Sequence, residues 1–164
     1  MVADLVKADQ SEWVLLAYRL PRLPSTPRSS VWRKLRRLGA AQLLDGLVAL
    51  PLDSRSREQF EWLADEIGEA GGEATIWIGR LATAAQEREL AAQMAAAVAS
   101  EYRALLDEVE VVRAQPPGPQ RRSVKRLRRE LRLIRARDYF PPAEREQAQC
   151  AVEELAALVE QPVG

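Results

Sequence analysis

Residues 41–51 read AQLLDGLVALP. Two apolar runs flank Asp45-Gly46, and Asp-Gly in that setting is the strongest short-range signal for a β-hairpin. Its type I′ turn needs positive φ at both central positions. Strands two and three are assigned here, with Pro51 closing the hairpin. Upstream, residues 13–20, WVLLAYRL, form an apolar run ahead of Pro21 and Pro24, which fits a buried first strand. PSTPRSS then supplies turn and cap residues, with Ser25 or Thr26 as N-cap. Val31, Trp32, Leu35 and Leu38 follow at helical spacing until Gly39 ends the helix. Downstream, Asp53 or Ser54 caps a second helix whose Phe60, Leu63, Ala64 and Ile67 make one apolar face. Gly71-Gly72 stops it, and EATIWIGRL reads as a fourth strand.

The expected fold class is therefore α+β: a ferredoxin-like βαββαβ four-stranded antiparallel sheet over residues 12–82, followed by C-terminal helices over 83–160. The first of these, from Ala82 to about Val112, carries Leu90, Met94, Val98, Tyr102, Leu105 and Val109 at spacings of three and four. QPPGPQ at 115–120 predicts a hinge, because prolines do not continue a helix. A basic helix is expected over about 120–137, with Val124, Leu127, Leu131 and Ile134 as its seam. An acidic helix is expected from about Pro142 to Glu160.

The 164 residues hold one cysteine, Cys150, and no histidine, which removes disulfides, Cys/His zinc sites and imidazole acid-base chemistry. Cys150 reads as a small buried residue. Apolar runs are too short to span a membrane, and MVADLVKADQ is acidic where a signal peptide is basic, so a cytoplasmic protein is expected. The formal net charge of zero hides a segregation. Trp13 to Leu44 carries seven bases and no acid, and Arg121 to Arg137 nine bases with only Glu130. Asp53 to Glu110 carries thirteen acids against five bases.

Two basic constellations follow. On the first helix, Arg28, Arg33, Lys34, Arg36 and Arg37 form a positive surface, with Arg33, Arg36 and Arg37 sharing a face and Arg19 and Arg22 nearby. On the basic helix, Arg122, Lys125, Arg126 and Arg129 flank the seam, with Arg128, Arg132 and Arg135 in another row. Such faces neutralise phosphates; equally, the first is a solvated helix face and the second a partner for the acidic last helix. Trp13, Trp32, Trp62 and Trp77 fall on expected core faces and read as core or interface, and Tyr139 and Phe140 read as a clasp at a helix end, with stacking on bases or another subunit as the alternative.

In order, WVLLAYRLP, PRSSVWRKLRRLGA, LLDGLVALP, REQFEWLADEI, GGEA and IRARDYF resemble the N-terminal domain of ChrB-type chromate-resistance proteins, over about residues 12 to 142. That family is related in fold to the C-terminal region of phenylacetate-type repressors and to CRISPR-associated ferredoxin-like endoribonucleases. The resemblance implies a regulator of chromate-resistance genes that binds double-stranded DNA and responds to chromate or another oxyanion. Edge strands and the long Ala-rich helix offer interaction surfaces, so a homodimer is expected, and no cofactor is assigned. Family members often continue into a second, larger domain, and this chain ends at Gly164. The alternatives are a non-catalytic dimerisation or protein-interaction module and, third, a metal-dependent nuclease. Against the nuclease, the end of the first strand reads Ala17-Tyr18-Arg19, without the carboxylate that a metal would need. No catalytic residue or metal ligand is assigned.

Overall fold

The computed structural model describes residues 11–161. In chain order it has β1 (Trp13–Arg19), α1 (Thr26–Leu38), β2 (Ala41–Leu44), β3 (Leu47–Pro51), α2 (Ser54–Glu69) and β4 (Glu73–Gly79). Three helices follow: α3 (Ala84–Arg113), α4 (Pro117–Ala136) and α5 (Ala143–Glu160). The architecture is α+β, with one antiparallel four-stranded sheet in the order β2-β3-β1-β4. The chain divides into two compact units at Ala91/Ala92. The division falls within the range of α3.

In the first unit β1 pairs antiparallel with both β3 and β4, so the most continuously apolar strand is central. Val14 lies opposite Leu50 and Ile78, and Leu16 opposite Val48 and Ile76, which places these residues on one face. Val14, Leu16, Leu50 and Val48 are buried together with Val31 and Leu35 of α1 and Phe60, Leu63 and Ile67 of α2. Asp53 starts α2 with a capping box. Its carboxylate accepts from the Ser56 amide at 2.6 Å, while the Ser56 hydroxyl accepts from the Asp53 amide at 2.9 Å and donates to the Pro51 carbonyl at 2.7 Å. Asp53→Ala should therefore lower stability by about 1 kcal/mol, read from the denaturant midpoint at unchanged slope.

The second unit has its own core, in which Tyr102, Leu105, Val109 and Val112 of α3 meet Val124, Leu127, Leu131 and Ile134 of α4 and Ala148, Val152 and Leu155 of α5. All four residues of the expected α4 seam are buried.

Several expectations are corrected. Only Gly46 of the hairpin turn has positive φ, 76°, and among the described residues no non-glycine does, so the turn is not type I′. A turn with one left-handed residue matches strand twist less well, and the β2–β3 register shifts between Gln42 and Leu44 to absorb the difference. Of the four tryptophans only Trp13 is core. Trp32, Trp62 and Trp77 are 52%, 58% and 61% exposed. Trp77 alternates with Ile76 and faces the other side of the sheet, while Trp32 lies off the Val31/Leu35 seam toward the charged side of α1. Cys150 is exposed, because it is about 200° around α5 from Ala148 and the seam that residue shares with Val152 and Leu155. Finally, α4 begins at Pro117, inside the expected hinge: prolines are tolerated in a first turn whose amides have no helical partner.

Candidate functional site

The first unit has an open crevice of about 690 Å³ where the end of β1, the β2–β3 turn and the first turns of α1 converge. Tyr18, Arg19 and Leu20 come from β1 and the residues after it, Gln42, Asp45 and Gly46 from the hairpin, and Ser25, Arg28, Ser29 and Trp32 from α1 and its cap. Gly46 makes this convergence tight. Its carbonyl accepts from the Tyr18 amide at 2.8 Å, and a Cβ on it would stand 2.4 Å from the Tyr18 carbonyl oxygen. Ser25 is the N-cap of α1 but makes no side-chain cap bond, and no acid occupies the first turn. Burial raises the pKa of Tyr18 above its ordinary value; the charge of Arg28 opposes that shift and the charge of Asp45 adds to it. The phenol therefore stays a hydrogen-bond donor at neutral pH.

Of the cations expected to form a site on α1, Arg28 lines this crevice. The others diverge. Lys34 is ion-paired with Glu66 of α2, which also accepts from the Ser30 hydroxyl at 3.0 Å. The Lys34 hydrogen bond, followed by that from Ser30, holds the Glu66 carboxyl below its usual range. Arg36 stacks on Trp32, its guanidinium carbon 4.9 Å from the ring centroid. Arg33 and Arg37 are exposed and have no ion-pair partner among the described residues. Arg37 and Lys34 border a smaller hollow with the exposed Trp62.

On α4 the expected cations separate into two groups by angle. Arg126 and Arg128 lie on either side of the buried seam, and each is paired within the second unit. Arg126 reaches Glu108 of α3, and Arg128 donates to Glu160 of α5 at 2.8 Å. Arg122, Lys125, Arg129 and Arg132 fall within about 80° of one another, directly opposite Val124, Leu127, Leu131 and Ile134. All four are exposed and have no ion-pair partner among the described residues. They form a row about 15 Å long at 1.5 Å per residue. Among the described residues no group of three or more His, Cys, Asp or Glu could hold a metal ion.

The end of α4 is anchored by a buried polar cluster that sequence reading missed. The Tyr102 hydroxyl donates to Asp138 at 2.8 Å, Arg145 approaches the same oxygen at 3.5 Å, and the other Asp138 oxygen is buried without a partner among the described residues. Arg137 pairs with Glu101 beside it. Burial raises the pKa of Tyr102 well above its ordinary value, and the hydrogen bond to Asp138 adds to the shift. The folded state thus holds this proton more tightly than the unfolded chain does. The contribution is complete below about pH 10 and is lost as pH rises through the folded value. Denaturant midpoints measured from pH 9 to 11 should fall more steeply in the wild type than in Tyr102→Phe; equal slopes would count against this linkage.

The crevice residues Tyr18, Ser25, Ser29, Trp32, Gln42, Asp45 and Gly46 carried no binding signal in the sequence, apart from the turn motif that places two of them. Among the described residues no helix is long and apolar enough to cross a membrane. The family model for the N-terminal region of protein ChrB matches residues 28–115, from the first turn of α1 through the end of α3. Protein ChrB of Cupriavidus metallidurans is 31% identical over 103 residues, covering 63% of this chain and 28% of that relative, so the chain corresponds to a minor part of the relative's length. No solved structure matches the chain. With the α1 basic motif, the Asp-Gly hairpin and α2 all inside the matched span, the chain belongs to the ChrB N-terminal family.

Proposed function

We propose that this chain is a non-enzymatic regulatory protein of chromate resistance that binds double-stranded DNA as a homodimer. The observation that carries the reading is the row Arg122, Lys125, Arg129 and Arg132, without an ion-pair partner among the described residues on the face of α4 opposite its buried seam, while the flanking arginines are held by acids. A helix fits the major groove, and each phosphate that such a cation neutralises releases counterions. Family membership supports the chromate-resistance context, with chromate or another oxyanion as effector. We read the first unit as ferredoxin-like, supported by its βαββαβ element order and by the strand order β2-β3-β1-β4 with β1 and β3 central.

The test is titration of the protein into labelled duplex from its own upstream region, beside a scrambled duplex, at two salt concentrations and with and without chromate. Preference for the upstream duplex, relieved by chromate, is the expected result. Equal salt-sensitive binding to both would leave only a basic surface, and no binding at low salt would end the DNA-binding reading. The exposed Trp62 and Trp77 favour a protein-interaction module as the second reading, since large exposed aromatics are characteristic of interfaces.

A further inference from the structure

The crevice of the first unit is chemically unlike the α4 row. Its volume, about 690 Å³, lies within the range of sites for cofactor-sized molecules and far exceeds what a tetrahedral oxyanion occupies. Its lining is mixed: two aromatic rings, Tyr18 and Trp32; neutral hydrogen-bonding groups on Ser25, Ser29 and Gln42; one carboxylate, Asp45; and the cation Arg28. Among the described residues, the side chains of Arg28, Gln42 and Asp45 make no hydrogen bond or ion pair. Arg19, at the rim, is engaged with Glu73 at 2.6 Å.

This composition discriminates between ligands. A bare oxyanion could pair with Arg28 but would gain nothing from the two rings. An uncharged apolar molecule would desolvate Arg28 and Asp45 without compensating either. A molecule with a flat aromatic part, ring donors and hydroxyls, and one anionic group matches each element of the lining. The ring would lie on Trp32, which is half exposed and steadied by Arg36 over its indole. The Asp45 carboxylate would accept from N–H or O–H groups of the base and sugar, the Gln42 amide would accept or donate, and the phosphate would meet Arg28 and the uncapped first turn of α1.

We infer that the crevice bounded by Tyr18, Arg28, Trp32, Gln42 and Asp45 is a nucleotide site, which takes a nucleoside monophosphate unit. That unit can be a free nucleotide or one nucleotide of a single strand. The site shares no residue with the α4 row, so its fate does not depend on duplex binding.

The test follows the four indole N–H signals of the full chain by NMR, with Trp32 assigned through Trp32→Phe, during titration with AMP, GMP, CMP and UMP. Inorganic phosphate and chromate are titrated separately, and calorimetry gives the affinities. A saturable shift of the Trp32 signal by at least one nucleotide is expected. Affinity should drop about tenfold in Trp32→Ala, from lost stacking, and about tenfold in Arg28→Ala, from a lost charge-assisted bond. Gln42→Ala, at an exposed position, gives a further variant, and unchanged melting temperatures verify that each is folded. Tighter binding of short oligonucleotides than of mononucleotides would assign the site to a single strand, and the reverse to a free nucleotide.

Three results would overturn the inference: no nucleotide binding at millimolar concentration, phosphate or chromate binding as tightly as the nucleotide, or nucleotide affinity untouched by all three crevice variants. Loss of nucleotide binding on changing Arg122, Lys125, Arg129 and Arg132 would also overturn it, by moving the site to α4.

Discussion

Joint replacement of Arg122, Lys125, Arg129 and Arg132 by Gln is expected to lower duplex affinity about a thousandfold at 0.1 M salt. It should also reduce the slope of log affinity against log salt by about 3 to 4, since each lost phosphate contact removes about 0.9 from that slope. The side chains are exposed on a helix whose opposite face makes the core, so the variant should melt like the wild type. The comparison that gives the experiment its force is Arg126→Gln with Arg128→Gln. These two are as basic and as near in sequence, but their charge is already spent on Glu108 and Glu160. Exposed pairs of this kind contribute up to about 1 kcal/mol to stability, so this second variant should lose a little stability and little affinity. If the flanking pair weakens DNA binding as much as the unpaired row does, the assignment of the row as the phosphate-contacting face fails.

The largest stability effect is expected at Gly46. Gly46→Ala should cost about 3 kcal/mol or more, seen as a lower denaturant midpoint. A side chain at φ 76° costs about 1 to 2 kcal/mol, and its Cβ would also be driven to 2.4 Å from the Tyr18 carbonyl oxygen, which cannot swing away. That carbonyl belongs to the central strand of the sheet. Relief would therefore separate the hairpin turn from β1 and break the hydrogen bond between the Tyr18 amide and the Gly46 carbonyl. Gly68→Ala is the matched control. Outside its own helix and chain neighbours nothing lies within 4 Å of a Cβ there, and the residue is exposed in α2, so that change should be neutral or add up to about 1 kcal/mol. A Gly46→Ala protein as stable as Gly68→Ala would show that the turn is looser than described.

Element identity was legible because it depends on neighbours within a few residues. Asp45-Gly46 marks the hairpin, Asp53 caps α2 and Gly39 ends α1 with φ 74°. The α4 seam was readable from spacing for the same reason: the period of the helix decides which side chains share a side. The errors have a different origin. Trp77 satisfies every local criterion for a core strand residue, and only the side of the sheet that the helices cover decides that it is exposed.

The α+β order of elements, the buried stripe of each helix and the places where cations concentrate are set locally, because propensity, capping and periodicity act over one or two turns of chain. The tertiary structure alone decided which of those cations remain unpaired. Arg126 and Arg128 find their acids 18 and 32 residues away, across helix contacts that no local pattern encodes. It also decided that Tyr18, Arg28, Trp32, Gln42 and Asp45 line one crevice, since three segments meet there only once β1 has taken its place beside β3.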